Sequence, residues 1–313
     1  MDTYQSESEE LDNLDILNIS EEIINIEIEK SEKVRVPYKH LVLSGGSVRG
    51  ISQIGAIKKL VDEGLLVLDK IESVAGTSSG SLLGVLIVLG FSIDAIWDFM
   101  YSLDIKKLVN PNLLLLLTKC GVETGCTIHN LFEDILTKVT KIKHINFRQL
   151  YELTKIDLTI VGSCLTTKEA VYYNHTNTPT FKVSMALRIS ISLPGFFIPV
   201  TIGNNKYIDG GVLDNYAIEL FKDKIDDTIG ILVCDVYNTN YEYPEQYVAA
   251  VMNLFMDNFY KKISYPYQNN TIYIDKKPTN VSTMNFDVNN ECKNELFACG
   301  IEATSNFIKK NGI

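Results

Sequence analysis

Apolar and polar positions alternate along this chain in two rhythms. Residues 38–43, Tyr-Lys-His-Leu-Val-Leu, make a short apolar run that stops at a glycine-rich stretch, as a buried strand does. From 51 to 63 the spacing changes. Ile54, Ile57, Leu60 and Val61 recur on one helical face while Lys58, Lys59 and Glu63 take the other, which predicts an amphipathic helix. Gly64 is placed to end it. Ile71 to Val74 closes a second apolar strand, and 81–89 reads as the body of a buried helix. Strand, glycine loop, helix, strand, serine turn, helix is the order of an α/β fold with parallel strands.

The same patterns continue to the end of the chain. Helices are predicted over 91–103, 127–139, 147–153 and 183–192, the last stopped by Pro194-Gly195. Strands are predicted over 155–162, 170–173, 228–234 and 271–274, with a strand pair about the turn at 203–205 that runs to Asp209. Further helices are expected at 244–261 and 290–310, the latter with Leu296, Phe297, Ile301 and Phe307 inward. The run Leu113 to Leu117 after Pro111 is expected to be buried, with a lipid-facing patch as the functional alternative. No internal repeat or long linker divides the chain, so one domain over 36–313 is expected. Residues 1–35, rich in Asp and Glu, read as an acidic, flexible extension.

Composition narrows the classes. The chain has 313 residues, 46% of them apolar, and a formal charge of −10 at pH 7. That length and apolar content support a real core, and the charge argues against nucleic acid as the main partner. The first thirty-odd residues lack the basic start and apolar run of a secretory leader. A cytoplasmic protein is expected, with peripheral contact at membranes, since a local apolar patch can bind a surface despite global acidity. The six cysteines, at 120, 126, 164, 234, 292 and 299, form no C-x-x-C pair. They read as small core residues, and Cys120, Cys126 and His129 lack a second ligand pair for zinc. No metal site or cofactor is expected.

Three short pieces carry candidate chemistry. Gly76-Thr77-Ser78-Ser79-Gly80 is a G-x-S-x-G sequence between a strand and a helix. A serine on so tight a turn projects its hydroxyl from the sheet, and side chains two positions either side would collide. The alternative is a close-packed turn with structural glycines. Gly45-Gly46-Ser47-Val48-Arg49-Gly50 lies at a strand end before a helix, where backbone N–H groups make an anion cradle. It fails both nucleotide fingerprints, because Ile51 stands where a phosphate loop needs lysine and Ser47 where G-x-G-x-x-G needs glycine. Arg49 reads as a solvated or supporting residue. The third piece is Asp209-Gly210-Gly211, a turn former or a functional carboxylate. The four histidines, 40, 129, 144 and 175, lack the loop setting of a triad base. A direct pair of Ser78 with Asp209 is therefore the economical arrangement, the carboxylate taking the hydroxyl proton as Oγ attacks a carbonyl.

Taken together, these pieces resemble the patatin-like phospholipase family. Its G-G-G-x-[K/R]-G element is similar to 45–50, its nucleophile motif to 76–80, its D-G-[G/A] element to 209–211, and its Pro-containing segment to 186–200. The pieces stand in the family's order over roughly residues 38–215. The resemblance implies a three-layer α/β fold with a mostly parallel central sheet and helices on both faces. It also implies hydrolysis of acyl esters in phospholipids or related lipids by a Ser–Asp dyad, without catalytic calcium. Ser78 and Asp209 would be catalytic, Gly45, Gly46 and Ser47 would form the oxyanion hole, and Arg49, Gly50, Gly76, Gly80, Gly210 and Gly211 would support the motifs. A transacylase on the same dyad, or a weakly catalytic lipid-binding protein, are the alternatives. Ser47 departs from the family's third loop glycine; if that position requires positive φ, its Cβ costs about 1 kcal/mol.

Overall fold

The chain enters its body at β1 (His40–Leu43), turns through residues 47–50 into α1 (Ile51–Asp62), and returns as β2 (Ser73–Thr77). α2 (Ser79–Val88), α3 (Ile93–Ser102) and the short α4 (Leu113–Lys119) follow. Next come β3 (Gly121–Glu123), α5 (Cys126–Thr140), α6 (Phe147–Thr154) and the hairpin of β4 (Asp157–Cys164) and β5 (Glu169–Tyr173). α7 (Val183–Ser190) leads to β6 (Gly195–Phe197), β7 (Val200–Ile202) and β8 (Asn205–Asp209). β9 (Thr228–Val233), β10 (Thr271–Ile274) and α8 (Asn290–Asn311) complete it. This is a computed structural model, and it describes residues 36–234, 263–275 and 288–313. The acidic extension at 1–35 and the helix expected at 244–261 lie outside the described residues.

The main sheet has the order β10-β9-β1-β2-β4-β8-β7, with β5 on the other edge of β4. Strands β10 through β4 in that order are mutually parallel; β5, β8 and β7 join antiparallel. Side chains alternate across it. Leu41, Leu43, Val74, Ile231 and Val233 join one apolar cluster with α1, α2, α7 and α8, while Val42, Ala75 and Leu232 join another with Tyr216, Ile218 and Phe221. The second cluster's cover comes from helical turns at Ile218–Asp227. With both faces covered, the strands are continuous apolar runs rather than alternating ones. This is the expected three-layer α/β arrangement. Each fully buried Leu or Ile, such as Leu43, Ile57 and Leu60, contributes about 1.5–3 kcal/mol.

The helical faces follow their patterns. Ile54, Ile57 and Leu60 of α1 are buried, and Gly64 at φ 68 follows its end. In α8, Leu296 and Phe307 point inward and Phe297 lies 4.3 Å from the Trp97 ring. Strand β4 starts two residues later than expected, because Lys155 takes φ 61 to cap α6. A parallel pair, β3 with β6, was not foreseen. No helix among the described residues is long and apolar enough to cross a membrane.

The expectation for one apolar run is overturned. The run Leu113 to Leu117 is not buried: Leu113 is 76% and Leu117 87% exposed. It forms a separate seven-residue helix that packs against β3, and Leu115 is its one half-buried residue. Hydropathy records a tendency to be covered, but it does not supply the covering element. The segment leading to this helix is rooted in the body, since buried Lys293 of α8 donates to Tyr101 O at 3.0 Å and Leu103 O at 2.7 Å.

Candidate active site

Ser78 ends β2 and begins α2 in one residue. Its φ of 52° and ψ of −123° are a conformation that side chains rarely adopt, and such strain persists only where the surroundings impose it. Here the turn is locked from both sides. A Cβ on Gly76 would lie 2.6 Å from Gly80 O, and one on Gly80 would lie 2.5 Å from the carbonyls of Leu43 and Ser44. The helix can approach its own strand, and the end of β1, so closely only with hydrogen at these two positions. The result is a serine hydroxyl at the N-terminus of α2, where the helix dipole favours developing negative charge.

Sheet register delivers the partner. β2 runs parallel to β4 and stops with Thr77 opposite Val161. β8 runs antiparallel to β4 and stops with Asp209 opposite Gly162. β5 occupies the other edge of β4 over the same residues, so β2 and β8 share one edge and meet end to end. Ser78 and Asp209 therefore leave their strands at adjoining registers, and Ser78 Oγ donates to Asp209 Oδ2 at 2.7 Å. Gly211 N–H holds the other carboxylate oxygen, Oδ1, at 2.7 Å. Asp209 is buried, and burial pushes its carboxyl up to about 7, against the opposing pull of the Gly211 and Ser78 hydrogen bonds. A carboxyl held near neutrality and bonded to a hydroxyl is suited to proton exchange at ordinary pH.

The glycine loop lies against this pair. A Cβ on Gly45 would stand 3.1 Å from Ser78 Cβ and would run into Asn215 Oδ1. Gly45 N–H is taken by Asn215, through its Oδ1 at 3.0 Å and its main-chain O at 3.2 Å. Among the three loop amides, this one is therefore directed at the protein. Ser47 does adopt positive φ, 51°, so its Cβ carries the cost of about 1 kcal/mol. Of the two readings of Arg49, solvated or supporting, burial removes the first: its Nη1 donates to Cys234 O at 2.7 Å. Gly50 lies under Ser79, and Gly210 lies against the Val161 carbonyl.

None of the four histidines hydrogen-bonds to Ser78 or Asp209. His40 pairs with Ser73 and Thr228 in register, at the opposite strand ends; His144 binds Glu133, His175 binds Asp157 at 2.9 Å, and His129 contacts Ser184 O. Cys120 and Cys126 are exposed rather than in the core. Among the described residues no three His, Cys, Asp or Glu side chains group as a metal site.

A family model for patatin-like phospholipases matches residues 41–222, the stretch from β1 past the Asp209 turn. The chain belongs to the patatin-like phospholipase family. It is an enzyme of that serine esterase class. Among curated relatives it is 30% identical over 286 residues to the uncharacterized protein R571 of Acanthamoeba polyphaga mimivirus, spanning 87% of this chain and 94% of that one. It is also 30% identical over 189 residues to the probable lipid hydrolase 463L of Invertebrate iridescent virus 6, covering 58% of this chain and 63% of the relative. The fold is similar to that of VipD from Legionella pneumophila, at a TM-score of 0.58 and 18% identity, over 88% of this chain and 67% of VipD.

Several residues that brace this patatin-like site escaped sequence reading. α7 and the turn after it hold both halves of the pair: Ser190 Oγ accepts Ser78 N–H at 2.9 Å, and Ser192 O accepts Asp209 N–H at 2.9 Å. Arg188 fixes that helix end, donating to Ser192 Oγ at 2.6 Å, Thr124 O at 2.6 Å and Ile198 O at 3.0 Å. The available signal was an arginine and two serines on a helix end otherwise apolar enough to be buried. Asn215 gave no such signal, being a lone polar residue in a loop. Asn215→Ala is expected to lower kcat about tenfold, the cost of one hydrogen bond, with KM and melting temperature little changed. Steady-state kinetics on a short-chain ester reads the split. A rise in KM with kcat unchanged would remove Asn215 from loop positioning.

Proposed function

We propose that this enzyme cleaves fatty-acyl esters of phospholipids or related lipids through an acyl-enzyme, with Ser78 as nucleophile and Asp209 as its base. The 2.7 Å hydrogen bond from Ser78 Oγ to Asp209 Oδ2 carries the proposal. Asp209 takes the hydroxyl proton as Oγ attacks the ester carbonyl. It returns that proton to the departing alcohol or lysolipid as the C–O bond breaks, leaving an ester on Ser78. Water then attacks this ester, Asp209 takes the water proton, and the proton passes to Ser78 Oγ as the fatty acid leaves.

The oxyanion assignment narrows within the loop. Because Gly45 N–H is directed at Asn215, the amides of Gly46 and Ser47 carry the role, supported by the helix dipole at Ser78. A single such donor is worth ~3 kcal/mol in acyl transfer. A fluorophosphonate probe, which phosphonylates an activated serine, tests the reading. Peptide mass analysis is expected to find the adduct on Ser78, and none on the Ser78→Ala protein. Folded wild-type protein that stays unlabelled at Ser78 would sink the proposal.

A further inference from the structure

We propose that α4 and the turn before it form the surface by which this protein docks on anionic lipid bilayers. The proposal rests on the lipid hydrolase reading, since it says where that enzyme meets its substrate in bulk. Leu113, Leu114 and Leu117 are 76%, 73% and 87% exposed. Spaced three and four residues apart, their side chains make one patch. Other exposed large apolar residues, such as Val139, Leu153, Leu165 and Leu220, stand on different elements, and scattered ones are ordinary.

The helix is built to stand in this position. Seven residues with little packing would be marginal in water. Yet Asn112 Oδ1 caps the start, accepting from Leu114 N–H at 3.0 Å, and Cys120 in a left-handed turn closes the end, its N–H on Leu116 O at 3.2 Å. The base of the arm is pinned by Asn112 N–H on Val122 O at 2.6 Å and Asn110 N–H on buried Glu123 at 2.5 Å. The leucines are thus presented by a fixed arm. That arm runs into β3, whose partner β6 belongs to the segment bridged by Arg188 to the Asp209 support.

Charge selects the occupant. The chain as a whole carries −10, yet residues 101–120 hold Lys106, Lys107 and Lys119 against Asp104 alone. All three lysines are exposed, and Lys107 pairs with Asp104 at 3.4 Å. Leucines with lysines before and after them in the chain match the boundary of an anionic bilayer, acyl chains below and phosphates above. A second copy on the same patch would set like charges against each other.

The test uses full-length Ser78→Ala protein, which leaves the lipid intact, floated with vesicles of phosphatidylcholine alone or with added phosphatidylserine. Binding is expected, stronger to the anionic vesicles. Leu113→Glu, Leu114→Glu and Leu117→Glu together are expected to weaken it about tenfold or more, while the same changes beside an intact Ser78 leave hydrolysis of a soluble short-chain ester unchanged. Lys106→Gln, Lys107→Gln and Lys119→Gln together are expected to remove only the anionic preference, and they decide the matter if the leucine variant does not fold. Equal flotation of parent and leucine variant overturns the proposal, as does a parent that does not bind. A change from dimer to monomer by light scattering, with flotation unaltered, assigns the patch to a second copy instead. Soluble-ester hydrolysis surviving Ser78→Ala would sink the catalytic reading and leave the flotation result standing.

Discussion

Ser78→Ala is expected to lower kcat/KM for a lipid or short-chain ester by about ten-thousand-fold or more, the scale of losing an acyl-transfer nucleophile. The neighbouring hydroxyls are not replacements. Ser81 Oγ donates to Ser78 O at 2.6 Å, and Thr77 Oγ1 donates to Asp214 O at 3.0 Å. Only Ser78 combines the strained turn, the start of α2 and the bond to a buried carboxylate. Alanine keeps the same φ of 52°, so its strain remains. Ser78→Gly, equally inactive, is expected to be the more stable of the two by about 1 kcal/mol. Ester turnover together with denaturant melts reads both effects, and an alanine variant with near wild-type turnover would end the assignment.

Asp209→Asn is expected to lower kcat about a hundred- to ten-thousand-fold, the usual contribution of a positioned base. It is also expected to change two pH profiles. Burial holds the wild-type carboxyl at about 7, and only the carboxylate can accept a proton. Wild-type kcat/KM should therefore rise with pH and level off above about 7. Stability runs the other way. The carboxyl titrates at 3.8 when unfolded and about 7 when folded, so between those values the folded state holds the proton that the unfolded state has lost. This group's contribution is complete below the lower value and is lost as pH rises through the upper one, by at most roughly 4 kcal/mol. Asparagine removes the buried charge and can still meet the Ser78 and Gly211 partners. The variant is thus expected to melt above wild type at pH 8, to lack wild type's decline between pH 4 and 7, and to be inactive. Equal melting of the two proteins at pH 8 would show Asp209 to be less desolvated than its burial implies.

Legibility differed from element to element. The turn at 76–80 could be read in part because the demand at Gly76 is local, the atoms that exclude its side chain being Gly80 O and Ser81 Cα; at Gly80 the excluding carbonyls are Leu43 and Ser44 at the end of β1, which only the tertiary structure brings there. α1 could be read because its inward face is spelled at helical spacing in Ile54, Ile57 and Leu60. Arg49 could be read only as solvated or supporting, because the carbonyl of Cys234 that receives it lies 185 residues away. Asn215 was missed because one asparagine has no pattern, and its partner Gly45 is 170 residues distant. Leu113 to Leu117 was placed inside because apolarity measures the gain from burial and is silent on whether a covering element exists.

By itself, then, the sequence determined most of the elements and the residue types at their ends: a parallel α/β body, a serine on a tight turn, a glycine loop before it, and an aspartate ahead of two glycines. Those follow from sterics and solvation over a few residues. Tertiary structure alone decided that β2 and β8 abut along one edge of β4, bringing a hydroxyl and a carboxylate 131 residues apart within 2.7 Å. It also decided that Asn215 turns one loop amide inward and that a leucine helix faces outward. These depend on which strands pair, in what register and with what cover. Such pairings are set by the free energy of the whole folded chain, to which each short stretch contributes only its own share.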